Sequence, residues 1–194
     1  MRRVVLVTLL ALTLPVVAFA GNISIVNSGG TLAGSASGMS LTNSTLIDYG
    51  GIVGPNLGTL SFSTGALTSG SLKMGGTFAG GGSFTIMGNG KDGVPNGVIF
   101  SGTFSGPVSW TLVTLANGTH NYTLSGAVAG NNGSNAATIQ FTINTGKGYF
   151  HSKARISSGD TNISTTPELG TLGLLGTGLI GMAGLIRRRL SSSR

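Results

Sequence analysis

The sequence predicts an all-β domain, an antiparallel sandwich or partly closed barrel, and three observations point to it. Apolar residues alternate with Ser and Thr in several runs. Turn-forming Asn-Gly and Gly-rich pairs separate those runs, and no stretch of the central region has helical periodicity. A β-solenoid is the alternative, because Gly, Asn, Ser and Thr suit stacked coils, but no fixed repeat period is present.

In chain order, residues 1–20 come first. Arg2 and Arg3 precede an apolar run from Val4 to Leu14, Pro15 breaks it, and Ala18 and Ala20 place small side chains before Gly21. That order is a secretory signal peptide cleaved after Ala20.

Residues 21–160 are the expected β-rich exported domain. Asn22 to Val26, Gly58 to Ser63, Ser71 to Phe78 and Gly82 to Met87 read as its earlier strands. Phe100, Gly102 and Phe104 alternate with Ser101 and Thr103; Val108, Trp110 and Leu112 with Ser109 and Thr111; Ile139, Phe141 and Ile143 with Gln140 and Thr142. Such period-two patterning buries one face of a strand. Asn117-Gly118 favours a type I′ hairpin turn, Gly130 to Gly133 and Thr145 to Gly148 read as the next turns, and a meander of about five strands is expected from Gly97 to Ser158. Few charges guard the strand edges, which favours self-association.

Residues 161–168 read as linker and sorting motif, 169–186 as a transmembrane helix, and 187–194 as a basic cytoplasmic tail. Leu169 to Ile186 is 18 residues without a charge, about 27 Å as a helix, enough to cross a thin bilayer. Arg187, Arg188 and Arg189 follow at once and hold that end inside. Gly176, Gly178 and Gly181 match a dinucleotide fingerprint in spacing only, since no acidic residue follows them.

Charge and composition exclude several functions. The chain carries 11 Lys plus Arg and 4 Asp plus Glu, with 35 Gly and no Cys. Absence of Cys removes thiol nucleophiles and thiolate metal sites. Most of the excess positive charge sits at the two ends, and the five scattered cations of the central region make no nucleic-acid surface.

No nucleophile elbow or P-loop occurs. His120 and His151 fall beside turns and read as solvent-facing, and Asp48, Asp92 and Asp160 show no catalytic spacing. The polar loop Asn89 to Gly93 lacks the acid spacing of a calcium site. The reading is therefore a non-enzymatic domain with no cofactor and no metal. Trp110 reads as core, whereas Tyr122 and Tyr149 are candidates for stacking on a sugar ring.

Pro167-Glu168-Leu169, the apolar Gly-rich span and the terminal Arg cluster together resemble the PEP-CTERM sorting signal of Gram-negative bacteria. Pro167 and Glu168 match the first two motif positions, and Leu169 stands at the third. The resemblance covers Pro167 to Arg194 and implies signal peptidase and exosortase as processing partners, with a transient single membrane span. It further implies an inner-membrane precursor, then delivery to the cell surface or the extracellular polysaccharide of a biofilm. Carbohydrate binding or adhesion is the alternative role for the domain, and a secreted hydrolase the least favoured.

Overall fold

The computed structural model describes residues 21–132 and 135–165, and the region from 22 to 165 is one compact unit. Signal cleavage at Ala18 and Ala20, the motif Pro167, Glu168 and Leu169, the apolar span and Arg187 to Arg189 all lie outside the described residues.

Thirteen strands run in order: β1 (Asn22–Ser28), β2 (Thr31–Ser35), β3 (Gly38–Tyr49), β4 (Ile52–Ser63), β5 (Leu67–Ser71), β6 (Gly75–Phe78), β7 (Gly81–Asn89), β8 (Asn96–Phe104), β9 (Val108–Thr114), β10 (His120–Gly130), β11 (Asn135–Asn144), β12 (Lys153–Arg155) and β13 (Ser158–Thr165). The β-domain thus continues to Thr165 rather than ending at residue 160, because β13 pairs with β1 as far as Asn22↔Ser164. Ser71 to Phe78 is not one strand. Ser71 Oγ accepts the Met74 N–H and closes a turn between β5 and β6.

Eight strands close on themselves in the order β11–β13–β1–β3–β4–β7–β8–β10, with β10 returning to β11, every pair antiparallel. The fold is a closed barrel, neither a sandwich nor a solenoid. Closure leaves fewer exposed edges than an open sheet would present, the remaining ones being β5, β12 and the earlier half of β8.

The expected meander holds only in part. β10 pairs with β9 over His120 to Ser125 but with β8 over Val128 to Gly130, so β9 leaves the ring and takes the place β8 vacates. Likewise β3 pairs with β1 over Thr45 to Tyr49 and with β2 over Gly38 to Thr42. The departing strands, β9–β6–β5 and β2–β12, extend one end of the barrel into a second tier.

The β9–β10 turn is also not type I′. Gly118 has φ +76°, but Asn117 is not among the described non-Gly residues with positive φ. Leu115 N–H donates to Thr119 C=O at 2.9 Å and Gly118 N–H to Leu115 C=O at 2.9 Å. This is a three-residue loop with Gly in the left-handed position.

An eight-stranded barrel is just wide enough for its side chains to fill it. Here Phe62 sits at the centre of a ring cluster, its centroid 5.0 Å from Phe141, 5.8 Å from Phe104 and 6.4 Å from Phe84. Ile25, Leu46, Leu60, Ile86, Phe100, Leu124, Val128, Ile139 and Ile163 complete the core.

One wall of the interior is polar. Asn27 Nδ2 donates to Ser44 Oγ at 2.6 Å, while Asn27 Oδ1 and Thr161 Oγ1 are buried with no hydrogen-bond partner among the described residues. An unpaired buried hydroxyl costs about 1–3 kcal/mol relative to an apolar group of the same shape. Thr161→Val is therefore expected to leave stability unchanged or raise it by about 1 kcal/mol in urea unfolding. A loss of more than that would mean the hydroxyl is hydrogen-bonded.

Candidate functional site

The second tier is built around aromatic side chains. Trp110 on β9 stacks on Tyr122 on β10, centroids 4.8 Å apart and planes 16° from parallel, and Phe150 meets Trp110 edge-on at 5.1 Å. Three hydrogen bonds pin this cluster to the chain around it. Trp110 Nε1–H donates to Leu72 C=O at 2.8 Å, Tyr122 O–H donates to Lys73 C=O at 2.7 Å, and Phe150 N–H donates to the Tyr122 hydroxyl at 3.1 Å. Gly34 on β2 packs against Met39, Leu72 and Phe150, where an added methyl group would press on the Met39 sulfur.

Tyr122 is therefore not a sugar platform. It is fully buried, and its hydroxyl ties the β5–β6 turn to the segment before β12. The signal was in the sequence: Tyr122 shares the parity of Leu124 on a strand with one buried face. Removing the hydroxyl leaves Phe150 N–H and Lys73 C=O unpaired, so Tyr122→Phe is expected to cost about 2 kcal/mol in chemical denaturation. Tyr149→Phe, whose hydroxyl has no partner among the described residues, should change stability by less than about 0.5 kcal/mol.

Tyr149 is half-buried, and its ring is already occupied. The His120 imidazole stacks on it with centroids 4.2 Å apart, and Lys73 Nζ lies 4.6 Å from its centroid. His120 is buried rather than solvent-facing, because it shares the inward parity of Tyr122 and Leu124 on β10. His151 is exposed, as its place beside a turn suggests.

His120 Nδ1 lies 3.0 Å from Thr114 Oγ1. That is the spacing of a hydroxyl nucleophile and its base. A working triad also needs a third group to orient the base; the imidazole's ring contact is Tyr149, while the His120 main chain bonds Gly146 and Thr145.

The carboxylates have an arrangement that spacing along the chain could not reveal. Asp160 and Asp48 both pair with Val26, on β13 and β3 either side of β1. Two strand spacings put their Cα atoms about 10 Å apart in one row across the barrel. Asp48 Oδ1 already accepts the Gly51 N–H at 2.9 Å, capping the β3–β4 turn. Asp92 stands apart in the exposed β7–β8 loop with φ +54°, where Asn89 Oδ1 accepts the Lys91 N–H. Among the described residues no three His, Asp or Glu side chains converge on a metal position.

One pocket combines a cavity with convergent polar groups. β8 pairs with β10 only over Gly102 to Phe104, so its earlier half has β7 on one side and, among the described residues, no strand on the other. The β7–β8 register shifts between Ile86 and Met87, leaving Ile99 as an extra residue opposite them. Such a bulge bends a strand and re-aims its side chains.

Beside this bend the β10–β11 turn opens a pocket of about 320 Å³ lined by Val98, Ile99, Phe100, Ser101, Asn131, Asn132 and Asn135. Asn131 is fixed twice, by its N–H to Ser101 C=O at 2.9 Å and by Nδ2 to Ser101 Oγ at 3.1 Å. Val98 is 61% exposed at the rim, opposite Met87. In the sequence Asn131 and Asn132 read only as a turn, and nothing sets Asn135 apart. Their convergence depends on where β10 leaves β8.

No protein-family model, no curated protein and no solved structure matches this chain.

Proposed function

We propose that the chain is an exported, exosortase-sorted precursor whose β-barrel serves a non-enzymatic, structural role at the cell surface or in extracellular polysaccharide. The observation that carries the reading is the C-terminal order of Pro167-Glu168-Leu169, an uncharged span and Arg187 to Arg189, set against an N-terminal signal ending in Ala18 and Ala20. The processing partners are signal peptidase and an exosortase, and the membrane is a transient one.

The barrel's own architecture supports this reading. Its first and last strands are neighbours, with Asn22 opposite Ser164. All the described ladders lie between residues 22 and 165. Cleavage after Ala20 and near residue 167 therefore cuts no described strand, so that both addresses can be removed from a finished domain. A filled interior also suits a building block rather than a carrier of small molecules.

The test is mass spectrometry of the protein recovered from outside a host that carries an exosortase. The mature form is expected to begin at Gly21 and to end near residue 167. Glu168→Ala should abolish that C-terminus and leave the precursor in the membrane fraction, since the motif's only charge is what a protease can bind by charge-assisted hydrogen bonds. Truncation after Thr166 should give a soluble periplasmic form. An intact Arg187 to Arg194 on exterior protein would overturn the proposal.

A further inference from the structure

The pocket at the bend of β8 supports an inference independent of the sorting signals. Asn131, Asn132, Asn135 and Ser101 line one side of it, and the β8 segment Val98 to Phe100 lines the other, with the Val98 side chain exposed there and the Phe100 ring turned into the core. Among the described residues no charged side chain lines it. A phosphate, carboxylate or ammonium ligand would lose its hydration here and gain no counter-charge.

A purely apolar ligand would bury the amides without partners, which is equally unfavourable. A ligand rich in hydroxyls around a hydrocarbon ring meets both walls. Each Asn amide supplies donors and an acceptor, the pairing that adjacent hydroxyls need. Because Asn131 Nδ2 donates to Ser101 Oγ, the Ser101 O–H and Asn131 Oδ1 are left to donate and accept at the pocket.

We infer that this pocket binds a sugar residue of a neutral polysaccharide, with the C–H face of the ring over Val98 and its hydroxyls on Asn131, Asn132, Asn135 and Ser101. Pocket volume lies at the lower end of the about 300–1,000 Å³ of small-molecule sites, which limits occupancy to a short stretch of glycan.

The test uses isotope-labelled protein spanning 21–166, a unit that contains all the described strand pairings and the core. Amide NMR spectra are recorded with cellotetraose, with mannotetraose and with tetragalacturonate as the charged probe. At least one neutral tetrasaccharide should shift the amides of Val98, Ser101, Asn131 and Asn135 saturably, and tetragalacturonate should bind at least tenfold more weakly.

Asn135→Ala, which removes an amide without touching the Asn131–Ser101 bonds, should weaken binding about tenfold while the rest of the spectrum is unchanged. Asn132→Ala on the exposed side of the turn provides a second reading of the same loss. Absence of saturable shifts with both neutral probes would overturn the inference. So would equal binding of the charged probe, or the same amides shifting with protein concentration alone, which would assign this edge to a second copy of the chain. None of these outcomes depends on where the C-terminus is cut.

Discussion

Phe62→Ala is expected to lower the stability of the barrel by about 3–5 kcal/mol, the usual cost of deleting a buried aromatic ring. A domain of this size has only about 5–15 kcal/mol to lose. Phe62 is 3% exposed and touches rings from three other strands, Phe84 on β7, Phe104 on β8 and Phe141 on β11. Its removal opens a void where opposite walls of the barrel meet, and a closed ladder cannot collapse to fill it.

Urea unfolding should show the loss as a lower midpoint with an unchanged slope. The melting temperature should fall by about 10 °C or more. Val53→Ala, at a side chain 77% exposed on β4, should change stability by less than about 0.5 kcal/mol. If the two variants behaved alike, the interior would not be packed as described. The result bears on function, because a filled barrel leaves only the outer surface and the rims for partners.

Much of the ladder was legible because its alternation is unbroken. Phe100 and Phe104, Val108 and Trp110, and Ile139, Phe141 and Ile143 are all buried as their period requires. The long strand β3 was not legible. Asn43 takes φ +56° and the register slips between Leu41 and Ser44, so Met39 and Leu41 before the bulge fall out of phase with Leu46 after it. A pattern search sees two fragments where the chain makes one strand.

Closure was equally hidden, since the β1–β13 pair joins Asn22 to Ser164 across nearly the whole domain. Strand periodicity specifies which face is buried and not which strand is the neighbour. Of the two residues singled out for sugar stacking, parity places Tyr122 in the core, and the Tyr149 ring is in contact with a His and a Lys that are remote in sequence. The polar pocket escaped notice because three Asn at a turn are ordinary until the strand beside them bends away.

Gly159→Val should be the second most damaging change, at about 3 kcal/mol, the upper part of the usual range for overpacking. Gly159 faces inward on β13, with Asn27 opposite on β1 and Phe141 opposite on β11. A Cβ at this position would overlap the Phe141 ring and press on Asn27 Oδ1. Here Gly serves space rather than an unusual backbone angle, since its φ is not among the positive values.

The claim can be separated from intrinsic strand propensity, because Val is the better strand former and would stabilise β13 on that ground alone. Phe141→Leu removes part of the ring that fills the site, so the cost of Gly159→Val should fall by at least about 1 kcal/mol in that background. A double-mutant cycle in chemical denaturation measures that coupling. Coupling near zero would mean that the space beside Phe141 is not what requires Gly at this position.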